Sequence, residues 1–326
     1  MSALVTFRDL IAANRRKSAW LVAGFCLFTT VALTGLSLGI LALAAPDAFA
    51  YWDWRQTLVL ALGAAAISGL IAWLALYRGD KFLLFVSGAQ PIRKEDDPQL
   101  YNVVEEVAIA AGIPPPPVYL IDDTAMNAFA TGRDPQHAAV AITRGLREKL
   151  TRDELQGVIA HEIAHIRNYD IRLMMLLAVL IGTIAVLADV FLHMLRFAGH
   201  GRSHSRREQR KSGAGGNAGV VIVILVAIIL ALLAPLVAQI IQLAVSRQRE
   251  YLADATAVEL TRNPHGILGA LRKLAGDTEE LEVANRGTAH MYFVNPIRKY
   301  AARGNSIFAS HPPIEERIRR LEQLLV

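Results

Sequence analysis

From about Ala19 to Ala45 the chain carries no charged residue, and a second uncharged run follows from about Leu58 to Tyr77. About 20 apolar residues in a helix cross the hydrocarbon of a bilayer, because only a helix satisfies its own backbone there. These two runs constrain the fold more than anything else in the chain. The first has a rival reading as a signal peptide, since Ala48-Phe49-Ala50 looks like a cleavage site. It is about twice as long as a usual signal core, which favours an uncleaved anchor. Composition agrees with a membrane protein: 53% of the residues are hydrophobic and mean hydropathy is +0.34, too apolar for an ordinary soluble domain.

Charge orients the two runs. Arg15-Arg16-Lys17 precede the first, Arg78 and Lys81 follow the second, and the loop between them carries Asp47, Asp53 and Arg55. The positive-inside tendency then predicts that the N-terminus and everything after Arg78 face the cytoplasm. The net charge of +5 is explained by these clusters beside apolar runs. No basic patch interleaved with aromatics is present, so nucleic acid is not an expected partner; the lipid bilayer is. Two more apolar runs come later, at about Leu173–Leu195 and Val220–Val245, joined by a polar basic loop over 196–219. If both cross, that loop lies outside, against the same tendency. If they do not, they form a hairpin dipping into the bilayer or packed on the protein. In either case the chain returns to the side it left. The third run contains Asp189 and His193, which read either as polar groups near an interface or as functional residues.

Between these runs the pattern changes. Asp97-Pro98 reads as a helix N-cap and first position, with the helix stopping at Gly112 before Pro114 to Pro117. Val118–Ile121 and Ala138–Ile142 read as short strands, and Met126–Ala130 as a further extended piece. This is a small α+β domain leading into Thr151–Asp170. There Thr151-x-x-Glu154 forms a capping box, and Leu155, Val158, Ile159, Ile163 and Ile166 supply an apolar face.

That helix carries His161-Glu162-Ile163-Ala164-His165. Positions four apart on a helix sit about 40° apart around the axis, so both imidazoles leave the same face and can reach one zinc ion at about 2.0–2.1 Å. Glu162 can hold the attacking water and take its proton. A catalytic zinc site with two His needs a third protein ligand. Glu250 and Asp254 stand four apart just after the fourth run, on one face of a predicted helix ending near Leu260 at Asn263-Pro264. Glu250 is the candidate third ligand. Asp254, one turn later, can accept the other ring N–H of a ligand His. The single cysteine, Cys26, lies in the first run, so no Cys cluster competes for the metal. Near the C-terminus, Ser310-His311-Pro312-Pro313 precedes an amphipathic helix with Ile314, Ile318, Leu321 and Leu325 on one face.

With these pieces in place, the chain resembles the HtpX family of membrane zinc metalloproteases, relatives of the CAAX prenyl endopeptidases. The resemblance rests on the two N-terminal spans, Asn127-Ala128-Phe129-Ala130-Thr131-Gly132, the His161–His165 motif, the apolar hairpin, Glu250-x-x-Ala253-Asp254 and the terminal Ser310–Pro313. It implies that His161, His165 and Glu250 bind one Zn2+ and that Glu162 is the base. It also implies that Asn127, Ala128, Phe129 and Ala130 form the edge aligning substrate backbone. Substrates would be misfolded or damaged membrane proteins, cleaved as part of quality control at a bacterial inner membrane. His311 reads either as a hydrogen-bond donor to the developing oxyanion or as an ordinary cap-region histidine.

The fold expected is an integral membrane protein, mainly α, with four apolar helical segments and a cytoplasmic α+β zincin-like metalloprotease domain. Its parts are a cytoplasmic N-terminus at 1–18, two transmembrane helices at 19–77, a first catalytic part with the zinc helix at 78–172, the apolar hairpin at 173–245 and a second catalytic part at 246–326. Competing readings are a metal transporter, which needs ligands within the spans and no Glu162, a noncatalytic zinc-binding membrane scaffold, and an intramembrane protease. Arg152, Asp153, Glu154, Arg167 and Asp170 make the metal helix polar at both ends, which argues against the last.

Overall fold

The computed structural model describes residues 7–200, 247–277, 279, 281, 291–293 and 312–323. The polar loop from 201 onward, the fourth apolar run, His311 and the His193 side chain lie outside the described residues. The chain divides into two compact units. One comprises 20–74 with 180–238, and the other comprises 1–19, 75–179 and 239–326.

In the first unit the two uncharged runs are helical, within α1 (Phe7–Ala44) and α3 (Trp54–Val86). A four-residue helix, α2 (Pro46–Phe49), lies in the turn between them. Asp53 and Gln56 cap α3 reciprocally, each side chain accepting the other's backbone N–H at 2.9 Å. α1 and α3 meet at Ser68, which faces Cys26 and Thr30, and the small residues Ala32, Ala64 and Ala72 of the two helices are buried as well. Small side chains let backbones approach, which is how helices associate in lipid. Thr30 bonds the Ser68 hydroxyl at 3.3 Å. Large apolar side chains such as Leu27, Leu62, Ile67 and Leu70 instead point outward, with Trp20 exposed at the start of the first uncharged run and Tyr51 and Trp54 exposed where α3 begins. An apolar exterior flanked by aromatics suits lipid contact. Among the described residues, two helices are long and apolar enough to cross a membrane: Ala12–Ala42 and Trp54–Val86.

The second unit is built around a four-stranded sheet ordered β1-β2-β4-β3. Here β1 is Gln90–Pro91, β2 Val118–Ile121, β3 Ala128–Gly132 and β4 Ala138–Thr143. The β2/β4 pair is parallel, with Val118 opposite Val140, while β1/β2 and β3/β4 are antiparallel. The extended piece at 126–130 therefore becomes the outer strand of the sheet, starting at Ala128. The helix α4 (Pro98–Ala111) begins with the Asp97 side chain accepting from Leu100 N–H and ends at Gly112 with φ +68°. Arg147, on α5 (Arg144–Lys149), binds the same Asp97 at 2.5 and 3.0 Å.

At the centre lies α6 (Arg152–Arg167), packed on α4, β3, α8 (Arg247–Thr261) and α9 (Pro264–Gly276). The Thr151–Glu154 capping box is present, and all five residues of the expected apolar face are buried. The contact of α6 with α9 runs through glycine. A Cβ on Gly157 would collide with the backbone nitrogen of Ile267, and one on Gly266 with the Asp153 carbonyl oxygen. Gly157→Ala is expected to destabilise the chain by about 3 kcal/mol, since backbone on both sides must move apart. A thermal unfolding midpoint matching wild type would contradict that packing.

The third apolar run falls in α7 (Asp170–His200). Its first turns, Ile171 and Leu173–Ala178, are buried inside the protein, whereas Asp189 further along is exposed. A corner joins α6 to α7, where Tyr169 adopts φ +61°, an uncommon left-handed conformation for a bulky residue. The C-terminal helix α10 (Ile314–Glu322) buries Leu321 and, unusually, Arg317.

Candidate metal centre

On α6 the one-turn spacing sends both imidazoles to the same point. The Nε2 atoms of His161 and His165 face each other at 3.1 Å. The Glu250 carboxylate, from the first turns of α8, lies 3.6 Å from each, Oε2 toward His161 and Oε1 toward His165. The ligand atoms of these three residues all lie within 4.8 Å of one another. The site is almost closed to solvent: His161, Glu162, His165 and Glu250 are 1%, 2%, 4% and 1% exposed.

Each imidazole is held from behind by a carboxylate. His161 Nδ1 lies 2.9 Å from Asp254 Oδ1, and His165 Nδ1 lies 3.1 Å from Asp170 Oδ2. A carboxylate can only accept, so each Nδ1 carries the proton and each Nε2 is left to bind outward. Asp254 is itself gripped by Arg317 at 2.6 and 2.9 Å. The Arg317 Nη2 also sits 3.3 Å from His161 Nδ1, but both groups donate there, and Asp254 between them takes both protons. Burial works against the Asp254 charge, yet Arg317 and the bond from His161 outweigh it and hold its carboxyl below the usual range.

The donor set fits a divalent cation. Among the described residues, four buried carboxylates (Glu162, Asp170, Glu250, Asp254) lie around the histidines, with the guanidiniums of Arg249 and Arg317 and the ammonium of Lys17 near them, so acidic groups exceed basic ones when the imidazoles are neutral. The histidines respond to that excess. Burial alone would depress the pKa of His165, but the bond to Asp170 and the charges of Glu250, Asp170 and Glu162 lift it to about 9. Burial also raises Glu162, opposed by the two histidines and by a hydrogen bond from Ala130 N–H.

That last contact joins the site to the sheet. β3 is the edge strand, and Ala128 and Ala130 turn their backbone groups away from β4. Both are engaged: the Ala128 carbonyl accepts from Phe293 N–H at 2.8 Å, and Ala130 N–H reaches Glu162. The Asn127 carboxamide oxygen accepts from Ala128 N–H at 3.0 Å, and Thr143 bonds the Asn127 backbone on both sides. Phe129 packs edge-on to Tyr292 at 5.2 Å, and Phe293 packs edge-on to His161 at 4.7 Å.

The structure thus brings together His161, Glu162, His165, Glu250, Asp254 and the 127–130 strand. Four contributors were missing from the sequence reading: Asp170, Arg249, Phe293 and Arg317. Only Arg317 left a signal, a charge falling on the face that Ile314, Ile318 and Leu321 make apolar.

Comparison with known proteins places the chain in a family. The model of peptidase family M48 matches residues 94–325. The chain is 45% identical over 274 residues to a Protease HtpX homolog of Thermoanaerobacter pseudethanolicus, covering 84% of this chain and 87% of that one. It is 43% identical over 318 residues to a Protease HtpX homolog of Listeria innocua, covering 97% and 99%. Among solved structures, the crystal structure of S. mikatae Ste24p is similar at 22% identity and TM-score 0.41, over 82% of this chain and just under two thirds (66%) of that one. On its sequence this chain belongs to peptidase family M48, and within it to the HtpX group of membrane metalloproteases.

Proposed function

We propose that this protein is a zinc-dependent endopeptidase that cleaves misfolded or damaged proteins at the cytoplasmic face of a bacterial inner membrane. The observation that carries the reading is the convergence of two imidazole Nε2 atoms and one carboxylate, with Glu162 beside them. In this reading His161, His165 and Glu250 hold one Zn2+. When bound, the cation supplies Lewis acidity, lowering the pKa of a water and polarising the scissile carbonyl. Glu162 orients the attacking water, accepts its proton and passes it to the leaving amine nitrogen. Asp254 keeps the His161 imidazole in the tautomer that leaves Nε2 to bind.

Substrate backbone adds as an extended strand beside Asn127–Ala130, where main-chain hydrogen bonds read side chains weakly and so suit varied unfolded chains. Such a strand has to displace the Phe293 N–H from the Ala128 carbonyl. His311, proposed on its sequence context alone, donates to the developing oxyanion. Orientation rests on the basic residues before the first span and after the second. The direct test is cleavage of an unfolded protein by the purified full chain. Activity should vanish with a chelator and return with Zn2+. No cleavage of any unfolded or membrane-protein substrate by the zinc-loaded chain would favour the scaffold reading instead.

Metal affinity should depend on pH with a defined sign. Without metal, His165 keeps a proton up to about pH 9, and that proton must leave before Nε2 can bind. Apparent Zn2+ affinity is therefore expected to rise about tenfold per pH unit between about pH 6 and pH 8, flattening near the pKa of His165. Chelator competition across that range checks it. An affinity independent of pH would mean that His165 is already neutral.

A further inference from the structure

We infer that Asn14, on the first apolar helix, is a positioning residue of the metal centre, acting on His165 through Asp170. The inference rests on the reading of His161, His165 and Glu250 as metal ligands. Asp170 presents one oxygen to His165 Nδ1 at 3.1 Å. Its other oxygen receives Asn14 Nδ2 at 2.7 Å and Arg249 Nε at 2.8 Å. The same Asn14 nitrogen donates to the Asn168 carbonyl at 2.9 Å, and Asn14 Oδ1 accepts from Arg249 Nη2 at 3.0 Å. One carboxamide therefore spends both donors and its acceptor on the corner that carries Asp170 and on the residue preceding Glu250. Only one orientation of the amide works, because the carboxylate and the carbonyl accept while the guanidinium only donates.

This use is unlike that of two threonines on the same helix. Thr29 and Thr34 bond back to carbonyls of their own helix, at Phe25 and Thr30. Asn14, 5% exposed, makes all of these bonds to other segments. Its neighbour Arg15 reinforces the contact, with its guanidinium 4.7 Å from the centre of the Tyr169 ring at the left-handed corner. Asn14 thus fixes the carboxylate that orients one ligand and the arginine beside another. A partner behind a ligand histidine is commonly worth about 10–100-fold in metal affinity. Asn14 stands one step further back and is expected at the lower end.

The test uses the full-length protein in detergent or nanodiscs, with Zn2+ affinity measured by chelator competition and the site's electronic spectrum read with Co2+. Asn14→Leu should weaken Zn2+ about tenfold and shift the Co2+ bands at saturation. Asn14→Ser, which keeps a small polar group, should do the same to a lesser degree and serves if the leucine variant does not fold. Thr29→Val, a loss of a buried hydroxyl on the same helix, should change neither readout. Asp170→Asn combined with Asn14→Leu should be no weaker than Asp170→Asn alone, because both act on one contact. Wild-type affinity and spectrum in a folded Asn14 variant, or fully additive losses in the pair, would overturn the inference. If Glu250→Ala loses metal in the same assay, that failure belongs to Asn14 alone. If Glu250→Ala keeps full affinity, the metal centre itself is misassigned and the inference falls with it.

Discussion

Glu162→Gln is expected to keep its metal and lose about a thousandfold in kcat. A general base contributes about 10²–10⁴ to such a step, and the amide keeps the carboxylate's shape without its ability to take a proton. Glu162 is 2% exposed and accepts a hydrogen bond from Ala130 N–H, which a glutamine oxygen can also accept. The neighbouring ligands should therefore stay where they are. Burial is the largest influence on this carboxyl and raises it, toward the range in which a group can accept a proton and then return it near neutral pH. Elemental analysis and single-turnover cleavage of an unfolded substrate separate the two effects. Loss of metal together with activity would make Glu162 structural, and a wild-type rate would remove it from the chemistry.

Arg317→Met is expected to destabilise the fold by about 3–5 kcal/mol, the usual consequence of leaving one partner of a buried ion pair uncompensated. Arg317 is 1% exposed, holds both oxygens of Asp254 and donates to the Phe293 carbonyl at 3.0 Å. Without it the Asp254 charge is buried beside Glu250 and Glu162. The metal site should suffer as well, because Asp254 then has reason to take up a proton and release His161 Nδ1. Adding Asp254→Asn removes the orphaned charge, so the double variant should regain part of the lost stability. Unfolding midpoints in detergent check this. A single variant within about 1 kcal/mol of wild type would show that the pair contributes little.

The sequence was most legible where chemistry follows local spacing. His161 and His165 share a helix face by periodicity, Glu250 and Asp254 do the same, and the Thr151 box marks where the metal helix begins. Groups joined only by tertiary placement were not legible. Asp170 is near in sequence to His165, yet its approach depends on the left-handed Tyr169 corner. Asn14 and Arg249 meet it from opposite parts of the chain. Phe293 lies in a stretch without helical or strand period, so nothing local pointed to its place against His161 and Ala128. The edge position of β3 was legible only through the family resemblance, because it follows from the sheet order and not from the strand's own residues. The third apolar run shows another limit. A helix buried in protein and one facing lipid carry the same apolar signature, and Ile171–Ala178 proved to be the former.

X-ray absorption at the zinc edge of the purified full-length protein addresses the central claim, a zinc held by His161, His165 and Glu250, most directly. One zinc per chain is expected, with two imidazole nitrogens at about 2.0–2.1 Å, oxygen donors completing the shell and no sulfur. In Glu250→Ala the metal should bind substoichiometrically, or with one oxygen donor fewer from the protein. A sulfur donor in the wild-type shell, or a full and unaltered zinc spectrum in Glu250→Ala, would contradict it.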